Sequence, residues 1–148
     1  MPRKIYTIGH TRKSLEKFIS LLRQAGVDAV IDIRRRNTSQ LAGFAKKDDL
    51  AFLLREGFGI AYEHVPELAP SAELLATYRE SHDWPAYEQE YKKQLLAGEA
   101  LSRGQALLAR YRQPCFLCSE DEPDFCHRRL LAEYLAASIP GLAVEHLR

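Results

Sequence analysis

Residues Pro114 to Leu131 read PCFLCSEDEPDFCHRRLL and hold three cysteines, a histidine, two arginines and four carboxylates beside an apolar run. Cys115 to Cys118, following a proline, has the pattern of a buried strand, and Ser119 to Asp124 is a polar turn. A helix is predicted next. Glu122 or Asp124 can cap it, Pro123 suits its first turn, and Leu130, Leu131, Tyr134 and Leu135 repeat along one buried face. Cys126, His127 and Arg128 then fall in the opening turn, where the helix dipole disfavours a cation by roughly 0.3–1 kcal/mol. A negative partner is therefore expected there: either the carboxylates of the turn, or a phosphate or carboxylate held by the free backbone N–H groups.

Working outward toward the N-terminus, Lys4 to Ile8 reads as a first strand ended by Gly9. Ser14 can cap a helix carrying Leu15, Phe18, Ile19 and Leu22, which stops at Gly26. Ala29 to Ile33 is a second strand, apolar except for Asp32. A carboxylate in such a strand needs a partner, and Arg34, two residues on and on the same face, supplies one. The strand runs into Arg34, Arg35 and Arg36 and a polar loop from Asn37 to Gln40. Lys47 to Glu56 reads as a helix closed by Gly57, and Ile60 to Val65 as a third strand with Tyr62 and His64 on one face. Ser71 to Ser81 and Asp83 to Leu96 are helical, with Trp84, Tyr87 and Tyr91 as packing residues, and Gln105 to Tyr111 is a further helix. Beyond the central stretch, Pro140 and Gly141 turn the chain into a last strand, Leu142 to Leu147, containing His146.

Strands alternating with helices specify a three-layer α/β fold: a mostly parallel central sheet with helices on both faces, read as one domain over residues 1–148. Ligands of such sheets bind at the carboxyl ends of the strands. That rule gathers Gly9 and His10, Arg34 to Ser39, and Glu120 to Arg128 into one site.

Composition narrows the classes. With 46% hydrophobic residues the chain is not disordered, and 21 basic against 20 acidic residues, a net charge of +1, give no global field toward nucleic acid or a membrane. No stretch approaches the roughly 20 apolar residues of a membrane span, and Met1 to His10 lacks the apolar core of a signal peptide. A cytoplasmic chain is expected, with its three cysteines reduced.

TIGHT at Thr7 to Thr11, DIRRRNTSQLAGF at Asp32 to Phe44 and CSEDEPDFCHR at Cys118 to Arg128, three motifs in order, resemble the family described as domain of unknown function 488. The resemblance spans nearly the whole chain. It implies a shared site drawn from Thr7, Gly9, His10, Asp32, Arg34, Ser39, Phe44, Tyr62, Leu68, Cys118, Glu120, Cys126, His127, Arg128 and His146. Three departures stand out: Asn37 where a proline is usual, Gln40 where an arginine is usual, and Ala69 with Pro70 in place of glycines after Leu68.

Several chemistries fit these residues. Cys115, Cys118, Cys126 and His127 make a C-x2-C-x7-C-H set with zinc-ligand chemistry, but a strand through Phe116 and Leu117 puts Cys115 and Cys118 on opposite faces, so no metal and no cofactor are expected. Cys126, at a helix N-terminus beside His127 and Arg128, is the expected activated thiol. His127 diverges from it by about 100 degrees, which leaves His10 as the better base. Glu120 is a candidate general acid or base, and Cys118 a second catalytic thiol. Neither Cys118 nor Cys126 begins a C-x5-R phosphatase loop. The leading reading is a small enzyme acting on a phosphate-bearing or other anionic ligand or nucleotide, with catalytic Cys126, Glu120, His10 and Cys118. Thr7, Gly9, Asp32, Arg34, Ser39, Tyr62, His127 and Arg128 would bind the ligand. Arg34 and Arg128 are expected to converge on the anion, with Arg36 in solvent. The alternative readings are a nucleic-acid-binding module using the RRR and HRR runs, and a structural zinc-binding protein. A closed pocket around Glu120 and Cys126 favours the enzyme; an open basic stripe with exposed aromatics favours the binder.

Overall fold

The computed structural model describes residues 3–148. Five parallel strands form one sheet: β1 (Arg3–Gly9), β2 (Ala29–Asp32), β3 (Ala61–His64), β4 (Pro114–Cys118) and β5 (Leu142–Leu147). Their order across the sheet is β3-β2-β4-β1-β5. β4 is therefore central, with Val30 beside Cys115 on one flank and Tyr6 beside it on the other. A central parallel strand is covered on both faces, which is why PCFLC is apolar throughout and all five of its residues are buried.

Six helices cover the sheet: α1 (Leu15–Ala25), α2 (Lys47–Phe52), α3 (Ala72–Ser81), α4 (Trp84–Ala97), α5 (Ala100–Arg110) and α6 (His127–Ser138). Strand alternation divides the core in two. Ile8, Val30, Cys115 and Leu117 pack with Phe18 and Leu22 of α1 and Leu50 of α2 on one face. Ile5, Ile31 and Phe116 pack with Tyr91 of α4, Leu107 of α5 and Leu131 of α6 on the other. Cys115 and Cys118 do fall on opposite faces, as the strand period requires. Each fully buried aliphatic or aromatic side chain here stabilises the fold by about 1.5–3 kcal/mol.

The local signals behave as their chemistry dictates. Ser14 accepts from the Lys17 N–H as the cap of α1, and Gly26 ends that helix in the left-handed conformation. The helix after β4 is the exception: it begins at His127, its N-cap is Cys126, and neither Glu122 nor Asp124 caps it. The intervening turn is held by contacts from other elements, which overrides the local capping preference.

Candidate functional site

Gly9, Asp32 and Cys118 end three adjacent strands, β1, β2 and β4, so the chain leaves all three at one edge of the sheet. The turn after Cys118 is pinned from several sides. The Thr11 N–H and hydroxyl donate to the Ser119 carbonyl. Arg128 donates from Nη1 to the Glu120 carbonyl and from Nη2 to the Asp121 carbonyl. Lys13, its side chain buried, pairs with Asp121 at 2.6 Å. Gly9 completes the seat: a Cβ there would lie 1.6 Å from the Glu120 carbonyl oxygen, so no side chain fits. The TIGHT and CHR motifs are thus two halves of one clamp on this turn.

Arg128 is 0% exposed and also donates from Nε to the Thr7 hydroxyl, 3.2 Å away. The same hydroxyl lies 2.6 Å from His146 Nδ1, so Thr7 links the guanidinium to the imidazole through one oxygen. Burial and the nearby Arg128 push the His146 pKa down, in keeping with a neutral ring. The misplaced cation of the sequence is therefore satisfied by backbone carbonyls and a hydroxyl rather than by a carboxylate or an external anion.

Asp32 is equally saturated. Arg34 grips it with two parallel bonds, Nε to Oδ1 at 2.8 Å and Nη2 to Oδ2 at 2.7 Å, and its backbone N–H adds a third. The Tyr62 hydroxyl donates to Oδ2 at 2.5 Å and the Asn37 amide at 3.0 Å. Burial alone would raise the Asp32 carboxyl, but these donors outweigh it and hold the pKa below the usual value. Asn37, the departure from the family's proline, thus supplies a donor that proline lacks. Arg34 and Arg128 do not converge on one point: each is committed to its own internal partners. Ser39 accepts from the Leu41 N–H and starts a short turn over Gln40–Ala45.

The cavity lies in front of these supports, with a volume of about 300 Å³. Its chemical end is formed by Cys118, Ser119, Glu120, Cys126 and His127. Arg34, Arg35, Arg36 and Arg79 contribute basic groups, and Tyr78, Tyr87 and Phe125 an aromatic wall. Of the expected site residues, Cys118, Glu120, Cys126, His127 and Arg34 line the cavity. Thr7, Gly9, Asp32, Ser39, Tyr62 and Arg128 are outside its lining. So is His10, whose pKa falls to about 4 through burial first and Arg34 next, with Asp32 opposing. Arg36, expected in solvent, is part of the wall.

The thiols differ from expectation. Burial raises Cys126 well above the ordinary thiol pKa. Cys118 is lowered instead, chiefly by a hydrogen bond from Cys126, then by the Ser119 N–H and the charges of Arg128 and Arg34, all of which outweigh its burial. Of these two thiols, Cys118 at the strand end is the one whose ionised form is favoured, with Cys126 as its donor. Cys115, buried among hydrophobes on the far face, is raised.

The possible metal-ligand atoms of Cys118, Cys126 and His127 lie within 4.8 Å of one another, close enough to share an ion. His127 Nε2 must be the protonated nitrogen, because it lies 3.0 Å from the Ile33 carbonyl, which only accepts. Cys118 Sγ is 3.5 Å from Nδ1 and 3.7 Å from Nε2. The Cys118 sulfur and the His127 ring are thus in direct contact.

The sequence reading missed the α3 side of the cavity, Tyr78 and Arg79 included, and gave Phe125, inside the gathered Glu120–Arg128 segment, no role of its own. Helix α3, which carries Tyr78 and Arg79, buries none of its residues fully, as expected of an element that borders an opening. Phe125 is an aromatic side chain in an otherwise acidic turn.

Neither the curated proteins nor the solved structures contain a match to this chain. A family model, Domain of unknown function DUF488, matches residues 14–135, which takes in the second and third motifs. The chain belongs to that family.

Proposed function

We propose that the protein is an enzyme acting on a phosphate-bearing or other anionic ligand in this cavity, with the Cys118 thiolate as nucleophile. The supporting observation is the composition of one wall set against another. Arg36 and Arg79 present charge beside Cys118, Cys126 and Glu120, and the Cys118 pKa is lowered. In this reading the sulfur bonds to the electrophilic atom of the ligand as the bond from that atom to its departing group breaks, and water then cleaves the new bond and frees the thiolate. Glu120, exposed on the wall, exchanges a proton with the departing group. Arg34 and Arg128 serve as positioning residues, the first by holding Asp32 and the second by holding the turn that presents Glu120.

The basic groups surround a cavity rather than forming a stripe, and that favours a small ligand over a nucleic-acid strand. Thermal melts with inorganic phosphate or pyrophosphate test the reading, because a ligand that binds only the folded state raises Tm. The expected result is a shift in the parent protein that shrinks in an Arg36→Ala/Arg79→Ala variant, a loss of about 1.5–3 kcal/mol in binding for each charge-assisted contact. No shift in the parent protein with any phosphate compound would overturn it.

A further inference from the structure

The aromatic wall is not needed to bind an anion, and it is continuous. Phe125 meets Trp84 edge-on at 5.4 Å, Trp84 stacks on Tyr87 at 5.0 Å, and Tyr78 lies 4.7 Å from Tyr87. Through Tyr91 the chain of rings reaches His127, 5.7 Å away, at the chemical end of the cavity. Phe125 is 63% exposed, although the turn that carries it is pinned by Thr11, Lys13 and Arg128. Burying a phenylalanine is favourable by about 1.5–3 kcal/mol, so a fixed turn that holds one open to a cavity leaves an unused apolar ring face.

The same cavity is also lined by charge. Arg34 is spent on Asp32 and Arg35 donates to the Pro70 carbonyl. Arg36 and Arg79 are exposed in the lining and have no ion-pair partner among the described residues. A volume of about 300 Å³ lies at the lower end for small-molecule sites, room for one ring-bearing unit rather than a run of them. A ligand that joins a flat ring to a dianion matches these two kinds of lining.

We infer that the ligand is a nucleoside phosphate, its base stacked against Phe125 and Tyr78 and its phosphate held by Arg36 and Arg79. The inference rests on the anionic-ligand reading above and specifies it. Trp84 is the only tryptophan of the chain and touches Phe125, so its fluorescence reports occupancy directly. The probes are AMP, GMP, CMP, UMP, ribose 5-phosphate, adenosine and inorganic pyrophosphate, together with a short single-stranded oligonucleotide. At least one mononucleotide should bind about 10-fold or more tighter than ribose 5-phosphate, in line with the contribution of base–aromatic stacking. Phe125→Ala should remove that factor and leave ribose 5-phosphate binding unchanged; Arg36→Ala/Arg79→Ala should bring the nucleotide down to the affinity of its nucleoside. Both sites are exposed, and an unaltered melting temperature confirms that the variants fold. If ribose 5-phosphate or pyrophosphate binds as well as every nucleotide and Phe125→Ala changes nothing, the nucleoside inference falls and the anion reading stands. If no phosphate compound binds, both fall. If the oligonucleotide binds far tighter than any mononucleotide, the cavity is part of a nucleic-acid surface and the inference falls.

Discussion

Two groups of polar side chains meet at the carboxyl edge of the sheet, and they differ in what their polar atoms touch. Thr7, Asp32, Arg34 and Arg128 are buried, with their hydrogen bonds directed to partners inside the protein. Arg36, Arg79, Glu120 and Phe125 are exposed and face a cavity. The first group builds the edge; the second is left free to meet a ligand. All four members of the first group are motif residues, so part of the motif pattern marks the scaffold of the edge rather than the cavity surface. Arg34 and Cys118 belong to both: each is buried, yet each is part of the cavity lining.

Removing a member of the buried group should cost the most. Arg34→Ala leaves Asp32 as a buried carboxylate with only Tyr62 and Asn37 as side-chain donors, and breaking such a pair costs about 3–5 kcal/mol. Urea unfolding measures it, and a loss under 1 kcal/mol would put Arg34 in the ligand-contacting group instead.

Acid should probe the same edge through His10, with a smaller effect. His10 has a folded pKa of about 4 against 6.5 for the ordinary group. The unfolded chain therefore takes up its proton first, and the stability contributed by the neutral ring is complete above pH 6.5 and lost as pH falls toward 4. The shift corresponds to roughly 3 kcal/mol, or about 2 after allowance for the partial exposure of the ring. His10→Phe should flatten the stability profile across that window. An unchanged slope would show that His10 is not the titrating group.

The cavity group should be nearly silent in stability. Arg79→Ala, at an exposed position on α3, is expected to stay within about 0.5 kcal/mol of the parent in urea unfolding. A large loss there would erase the distinction between the two groups.

Much of this edge was legible in the sequence. Strand alternation with helices specified the parallel sheet, and the lone Asp32 in an apolar strand named Arg34 as its partner. The rule that loops gather at the carboxyl ends brought Gly9 and His10, Arg34 to Ser39 and Glu120 to Arg128 to one edge from the sequence alone. Other features were not legible because they depend on long-range packing. A buried Arg128 reads in sequence as a cation awaiting an anion; only the fold shows that backbone carbonyls eight and seven residues before it, at Glu120 and Asp121, accept its bonds. Which thiol is activated depends on which sulfur receives the donors, and helix position alone pointed to Cys126. The turn from Ser119 to Phe125 keeps Cys126 at the cap, so it donates to Cys118 rather than drawing a proton away from itself. The cavity's far wall comes from α3, a segment with no motif.

The measurement that bears most directly on the account is the rate of Cys118 alkylation by iodoacetamide as a function of pH, followed by peptide mass spectrometry with and without inorganic pyrophosphate. Cys118 should react ahead of Cys126 and Cys115, with an inflection below the ordinary thiol value of 9.0, and pyrophosphate should slow it. If Cys126 reacts first, or if all three thiols stay inert until the protein unfolds and pyrophosphate protects none of them, the Cys118 thiolate at an anion-binding cavity is contradicted.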